Sequence, residues 1–226
     1  LAERLRPIIR IARPECGIRR ADDHWLVTSA YGPPREARRL VVTCPTYAAA
    51  AMFLESDPPL AAALDTILYA PIVVVATGHK REDITHPLDG FCFLAPRNQG
   101  MSVLGSIWNS SIFGDRAPTG HVQFRTMLGG AGDPEALGLS DDELWQTIRR
   151  EIGPLIGLNA NPAFMRVYRW ERGIPQYTLG HRERRQRIEE LAARHGGLHF
   201  VGNAYYGVGL NDCVKMARRV ADEIAA

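Results

Sequence analysis

The chain closes on "GGLHFVGNAYYGVGLNDCVKMARRVADEIAA", Gly196 to Ala226. Leu198 to Val201 read as a short apolar strand. Gly202, Gly207 and Gly209 make a glycine-dense turn, and a helix begins at about Asn211. A helix N-terminus presents unpaired N–H groups and a partial positive charge. Glycines before it let a ligand approach the backbone. The stretch resembles the phosphate-cradling logic of dinucleotide folds, but "GVGLND" is not G-x-G-x-x-G: Asp212 stands at the sixth position. A plain tight turn is the competing reading. If a ligand does sit there, the helix end suits one that gains negative charge.

Working outward, sheet and helix alternate along the chain. Strands are expected in "IIRIA", "CGIRRADDHWLVTSA", "RRLVVTC", "YAPIVVVATGHK", "GFCFLAP", "SVLGSIWNSS", "GHVQFRTMLGG" and "PAFMRVYRW". "ADDHW" reads as a hairpin loop. Helices are expected in "YAAAAMFLES", "PPLAAALDTIL", "DDELWQTIRREIGPLIG" and "GHRERRQRIEELAARHGG". The pattern predicts a mixed α+β fold. The apolar fraction of 46%, charged fraction of 23% and net charge of +2 are those of a globular protein with no bias toward nucleic acid. No apolar run reaches the roughly 20 residues of a membrane span. Cys16, Cys44, Cys92 and Cys213 form no C-x-x-C pair and read as reduced core thiols. The chain starts without Met, and Leu1 to Leu5 look like the tail of a helix already under way, so a fragment beginning mid-protein is expected.

Few residues offer chemistry of their own. "RWERGIPQYTLGH" gathers Trp170, Pro175, Gln176 and Tyr177, which could wall a flat ring or simply pack a loop. In "HRERRQRIEELAARH" the arginines are interleaved with Glu183, Glu189 and Glu190, with Glu183 one turn before Arg187, as on a solvated salt-bridged face. His195 and His199 are separated by helix-breaking glycines, which disfavours a metal site. There is no G-x-S-x-G, P-loop or H-E-x-x-H. If the protein is an enzyme, a cofactor carries its chemistry.

"IPQYTLGH" (Ile174 to His181), "GNAYYGVGLNDCV" (Gly202 to Val214), "LGSIWNSSIFGDRAPTGHVQFRTMLGGA" (Leu104 to Ala131) and "DGFCFLAP" (Asp89 to Pro96) together resemble the oxygen-dependent protoporphyrinogen/coproporphyrinogen oxidase family. That family lies within the flavin-containing amine oxidase superfamily. The motifs keep the family's order and match the C-terminal half of an enzyme about twice as long. The resemblance implies an FAD-linked fold, with 1–78 and 166–226 completing the FAD-binding domain and 79–165 belonging to the substrate domain. It places Glu15, Trp170, Gly202, Asn203, Val208, Gly209, Leu210 and Asp212 at the cofactor. Glu15 departs from the apolar residue many members carry. It places Phe91, Leu94, Ile107 and Met127 on the porphyrinogen cavity.

The implied activity is oxidation of a porphyrinogen to a porphyrin in haem biosynthesis. Hydride leaves a methylene bridge for the flavin in three rounds, and molecular oxygen is the acceptor. The implied partners are the porphyrinogen, oxygen and a missing N-terminal half, without which the fragment is expected to be inactive. The expected location is cytoplasmic. Peripheral membrane contact, a homodimer and the choice between protoporphyrinogen and coproporphyrinogen stay open. A flavin amine oxidase or desaturase is the nearest alternative, against which "IPQYTLGH" argues. A non-catalytic porphyrin- or flavin-binding module is the other.

Overall fold

The structure is a computed structural model that describes residues 2–9, 16–29, 32–96 and 98–225. It divides into two compact units: Leu1–Leu68 with Pro175–Ala226, and Tyr69–Ile174. The boundary expected at 78/79 falls inside a strand, Tyr69–Lys80, and that at 165/166 inside another, Phe164–Pro175.

The first unit opens with a short helix α1 (Ala2–Leu5). Strands β1 (Cys16–Ala21), β2 (His24–Ser29) and β3 (Arg35–Ala37) form an antiparallel sheet. The hairpin turns on Asp22 and Asp23, with Asp22 at φ 48°, a conformation Asp tolerates better than most residues. The strand expected over "IIRIA" is not seen at Ile8 and Ile9; its other residues, like Glu15, lie outside the described ones. "RRLVVTC" contributes β4 (Leu40–Val42). Helices α2 (Thr46–Phe53) and α3 (Pro58–Asp65) follow. Asp57 caps α3 by accepting from the Leu60 N–H at 3.0 Å, and its other oxygen meets His195 Nε2 at 2.6 Å.

The second unit holds β5 (Tyr69–Lys80), β6 (Cys92–Leu94), β7 (Val103–Trp108), a one-turn helix α4 (Asn109–Ile112), β8 (His121–Gly129), α5 (Asp141–Ile156) and β9 (Phe164–Pro175). Its sheet runs β6-β7-β8-β5-β9. "SVLGSIWNSS" was expected to be strand throughout; the chain turns into α4 at Asn109 instead. Helix α5 starts in a capping box: the Glu143 N–H donates to Ser140 Oγ, and the Ser140 N–H donates to the Glu143 carboxylate. Its apolar stripe, Leu144, Ile148 and Ile152, covers one sheet face, on Val73, Val75, Phe124 and Leu128. At β7 the register slips at Leu104, so Val103 pairs with Leu128 but Gly105 pairs with Met127. This bulge sets which face each later β7 residue takes.

The chain then completes the first unit with α6 (His181–Ala192), β10 (Leu198–Phe200) and α7 (Leu210–Ala225). β10 pairs in parallel with β4, Leu198 opposite Leu40. On α6 the ion pairs are Arg185–Glu189 (3.4 Å) and Arg187–Glu190 (3.8 Å), not the Glu183–Arg187 pairing its spacing suggested. Cys44, Cys92 and Cys213 form no disulfide among the described residues and are only partly buried. Among the described residues no helix is long and apolar enough to cross a membrane.

Candidate functional site

The glycine turn is built around two side chains. One is Tyr177. Its hydroxyl donates to the Asn203 carbonyl and accepts from the Gly207 N–H, both at 2.8 Å. One phenol therefore ties the two ends of Asn203–Gly207. Its ring stacks on His181 at 3.8 Å between centroids. Burial pushes the Tyr177 phenol above its ordinary value and the His181 imidazole below its own, so both are neutral near pH 7. The sequence leaves Tyr177 as a wall for a flat ring or a packed loop residue; its hydroxyl makes it a clamp on the turn.

The other side chain is Asp212. A Cβ on Gly207 would fall 2.4 Å from Asp212 Oδ2, and one on Gly209 3.2 Å from the same oxygen. Both glycines thus turn their side-chain positions onto one carboxylate in the first turn of α7, where the helix dipole favours negative charge. The Asp212 and Cys213 N–H groups donate to the Gly209 carbonyl at 3.1 and 3.2 Å. Gly209 itself is exposed and offers bare backbone. It is flanked by exposed Val208 and by Leu210, which is 80% exposed. Helix α7 begins at Leu210.

Within the turn, the Tyr206 ring carries two guanidinium groups, Arg185 at 4.2 Å and Arg219 at 4.6 Å from its centre, and its hydroxyl bonds Glu189. Nothing in the local sequence spacing signals these contacts, since the partners come from α6 and α7. A cavity of about 220 Å³ opens there, lined by Ile188, Phe200, Tyr205, Met216 and Val220 among others; Val208, Gly209 and Leu210 are not part of it. His195 is taken up by Asp57, and no metal-holding cluster occurs among the described residues.

The expected substrate residues belong to the second unit. Leu94, Ile107 and Met127 come from β6, β7 and β8. The register sets Leu94 opposite Gly105, Gly105 opposite Met127, and Ile107 opposite Arg125. Alternation puts Ser106, Trp108, Phe124, Thr126 and Leu128 on the buried face. Leu94, Ile107 and Met127 therefore share the other one. Gly105 lets them close up: its missing Cβ would lie 2.9 Å from Leu94 Cδ2. Phe91 precedes β6, is 66% exposed, and accepts from the Trp108 N–H through its carbonyl. It is outside the strand row that joins the other three. Trp170 lies on β9 and is largely exposed.

A family model described as flavin containing amine oxidoreductase matches residues 1–225. The chain belongs to that family. Within the flavin containing amine oxidoreductases it is 32% identical to the chloroplastic protoporphyrinogen oxidase of Nicotiana tabacum, over 84% of this chain and 36% of that protein. It is 27% identical to the coproporphyrinogen III oxidase of Bacillus subtilis (strain 168), over 85% and 41%. A crystal structure of a "Putative protoporphyrinogen oxidase" from Exiguobacterium sp. 255-15 superposes with a TM-score of 0.78 at 26% identity, covering 98% of this chain and 49% of that one. Cyclohexylamine oxidase from Brevibacterium oxydans shares the fold, at TM-score 0.66 and 15% identity. The chain spans less than half the length of each of these relatives. Membership brings a flavin cofactor, and the turn fits one: bare backbone, two exposed apolar side chains and a helix N-terminus suit the electron-rich edge of a flat ring.

Proposed function

We propose that this chain forms the flavin-edge and substrate-sheet part of an FAD-dependent oxidase that converts a porphyrinogen to a porphyrin, with oxygen as acceptor. When bound, FAD supplies the hydride-accepting chemistry. The chain's own residues bind and orient. Gly202, Asn203, Val208, Gly209 and Leu210 present the backbone edge and the α7 N-terminus to the flavin ring. Asp212 holds the turn from beneath, and Trp170 adds an exposed aromatic surface for the cofactor. Phe91, Leu94, Ile107 and Met127 take the apolar body of the macrocycle. A further segment, of the kind the longer relatives carry, completes the FAD site; Glu15 is assigned to its adenine end.

One observation carries the porphyrinogen reading over the amine reading. The sheet face shared by Leu94, Ile107 and Met127 is apolar around those three residues, and its strand positions on β5 to β8 hold a cation, Arg125, but no carboxylate. An ammonium substrate would find no counter-charge there, whereas a large apolar macrocycle finds area.

The test is fluorescence. The protein as encoded, loaded with FAD and given a porphyrinogen in air, should produce fluorescent porphyrin and consume oxygen. No fluorescence gain above the flavin-only control, with hydrogen peroxide released from simple amines instead, would move the protein to the amine oxidases.

A further inference from the structure

The same sheet face carries a charge that no described residue answers. Arg125 lies mid-strand on β8, opposite Ile107 on one side and Ala76 on the other. Met127, two residues along, shares its face. Water solvates an exposed cation on an open sheet face, and a cost arises only when something covers the cation without pairing it. Arg125 is exposed, and its side chain makes no hydrogen bond or ion pair among the described residues.

A second guanidinium stands on the same side. On β9, Met165 and Val167 pack against the buried core, so the alternating exposed residues Phe164, Arg166 and Tyr168 face the other way. Phe164 confirms this: a Cβ on Gly78 would meet it at 3.4 Å, and Gly78 shares the face of Val74 and Ala76. Arg166 too lacks a side-chain partner among the described residues. β5 lies between β8 and β9, so the two arginines spring from strands about 10 Å apart.

Two unpaired guanidiniums on an apolar and aromatic face describe a ligand that is flat, apolar in its body and anionic at its rim. Resting on the porphyrinogen reading above, we propose that Arg125 is a carboxylate anchor, supported by Arg166, that favours a tetracarboxylate porphyrinogen over a dicarboxylate one. Any macrocycle laid on this face strips water from Arg125. A ring bearing carboxylates on every edge places one against it. A ring with vinyl groups on two of its four pyrroles leaves the guanidinium desolvated and unpaired when those pyrroles lie over β8. Guanidinium and carboxylate pair through two parallel N–H···O bonds, which Lys cannot reproduce.

The experiment compares coproporphyrin and protoporphyrin binding to the FAD-loaded protein by fluorescence titration, for the wild type, Arg125→Met, Arg125→Lys and Arg166→Met. Arg125→Met should weaken coproporphyrin binding about ten-fold or more and change protoporphyrin binding less than about two-fold. Arg125→Lys should recover only part of the loss, and Arg166→Met should show a smaller loss of the same selectivity. Equal losses for both porphyrins, no loss in Arg125→Met, or no porphyrin binding by the wild type would each overturn the anchor. Oxidase assays of the same proteins separate the two ideas. A wild type that oxidises neither porphyrinogen while Arg125→Met still loses coproporphyrin selectively sinks the oxidase reading and keeps the anchor. A wild type that oxidises both equally, with no change on substitution, does the reverse.

Discussion

Tyr177 and Gly207, 30 residues apart, meet through a 2.8 Å hydrogen bond from the glycine N–H to the phenol oxygen. The same hydroxyl donates to the Asn203 carbonyl, so a loop preceding α6 fixes the conformation of the turn that precedes α7. Replacing Tyr177 with Phe removes one donor and one acceptor and leaves two backbone groups to find water. The side chain is partly exposed, so water can replace part of what is lost. We expect Tyr177→Phe to destabilise the first unit by about 1–2 kcal/mol, read as a lower midpoint in urea unfolding, and to weaken flavin retention on gel filtration. A variant with unchanged stability and flavin content would show that the clamp is dispensable.

Gly207 and Asp212 form a steric pair. An alanine at 207 would place its Cβ 2.4 Å from Oδ2 and 2.6 Å from Cβ of Asp212, so either the turn or the first turn of α7 must move. Gly207→Ala alone should cost about 1–3 kcal/mol. Asp212→Ala alone loses only a first-turn carboxylate, about 0.3–1 kcal/mol. Combining them removes the contacts with the carboxylate and leaves the one with the residue 212 Cβ, so the double variant should recover part of the loss and be more stable than the sum of the two losses predicts. Strict additivity in chemical unfolding would mean that the carboxylate does not fill the space beneath the turn.

Local patterns in the sequence were readable where structure is local. The run "PIVVV" became the interior strand β5, with Ile72 to Val75 buried on both sides. The acidic start of "DDELWQTIRREIGPLIG", Asp141 and Asp142, suits the first turn of α5, and the Ser140–Glu143 capping box is equally legible in "SDDE". Pairings between distant segments left no local trace. "EARRLVVTC" carries one β pattern, yet Arg35–Ala37 and Leu40–Val42 join different sheets, because β4 finds its partner in β10. The glycine turn was legible as a turn; its clamp was not, because Tyr177 reaches it only in three dimensions. On the sheet face, alternation alone cannot assign β7, since the bulge at Leu104 reverses the phase.

Gly105 makes the join between Leu94 and Met127 possible. A Cβ there would lie 2.7 Å from the Phe93 carbonyl oxygen as well as 2.9 Å from Leu94 Cδ2. The first contact is with backbone in a paired strand, so it cannot be relieved by a rotamer change. Gly105→Ala should destabilise the second unit by about 1–3 kcal/mol and raise KM for a porphyrinogen more than it lowers kcat, because it distorts the apolar surface and no reacting atom. Gly138→Ala, where no atom lies within 4 Å of the new Cβ, serves as the control and should be close to neutral. Equal behaviour of the two alanine variants would remove the packing argument.

His79 gives the fold a pH dependence with a definite sign. It sits on β5, 1% exposed, with rings of Phe124 and Trp145 each 5.7 Å away and neither ring nitrogen hydrogen-bonded among the described residues. Burial lowers its pKa from 6.5 to about 4, opposed weakly by Asp83. The folded protein therefore holds His79 neutral where the unfolded chain would protonate it. That stability is present above the unfolded pKa and is lost as the pH falls toward the folded one. Between pH 7 and pH 5 the loss amounts to about 2 kcal/mol. Urea unfolding across that range should show the midpoint falling with acid in the wild type. In His79→Leu, which keeps an apolar side chain of similar size in the same place, this component should vanish. A wild type and variant with parallel pH profiles would show that the imidazole reaches solvent or a partner in the folded state, and the assignment of a buried neutral histidine would fall.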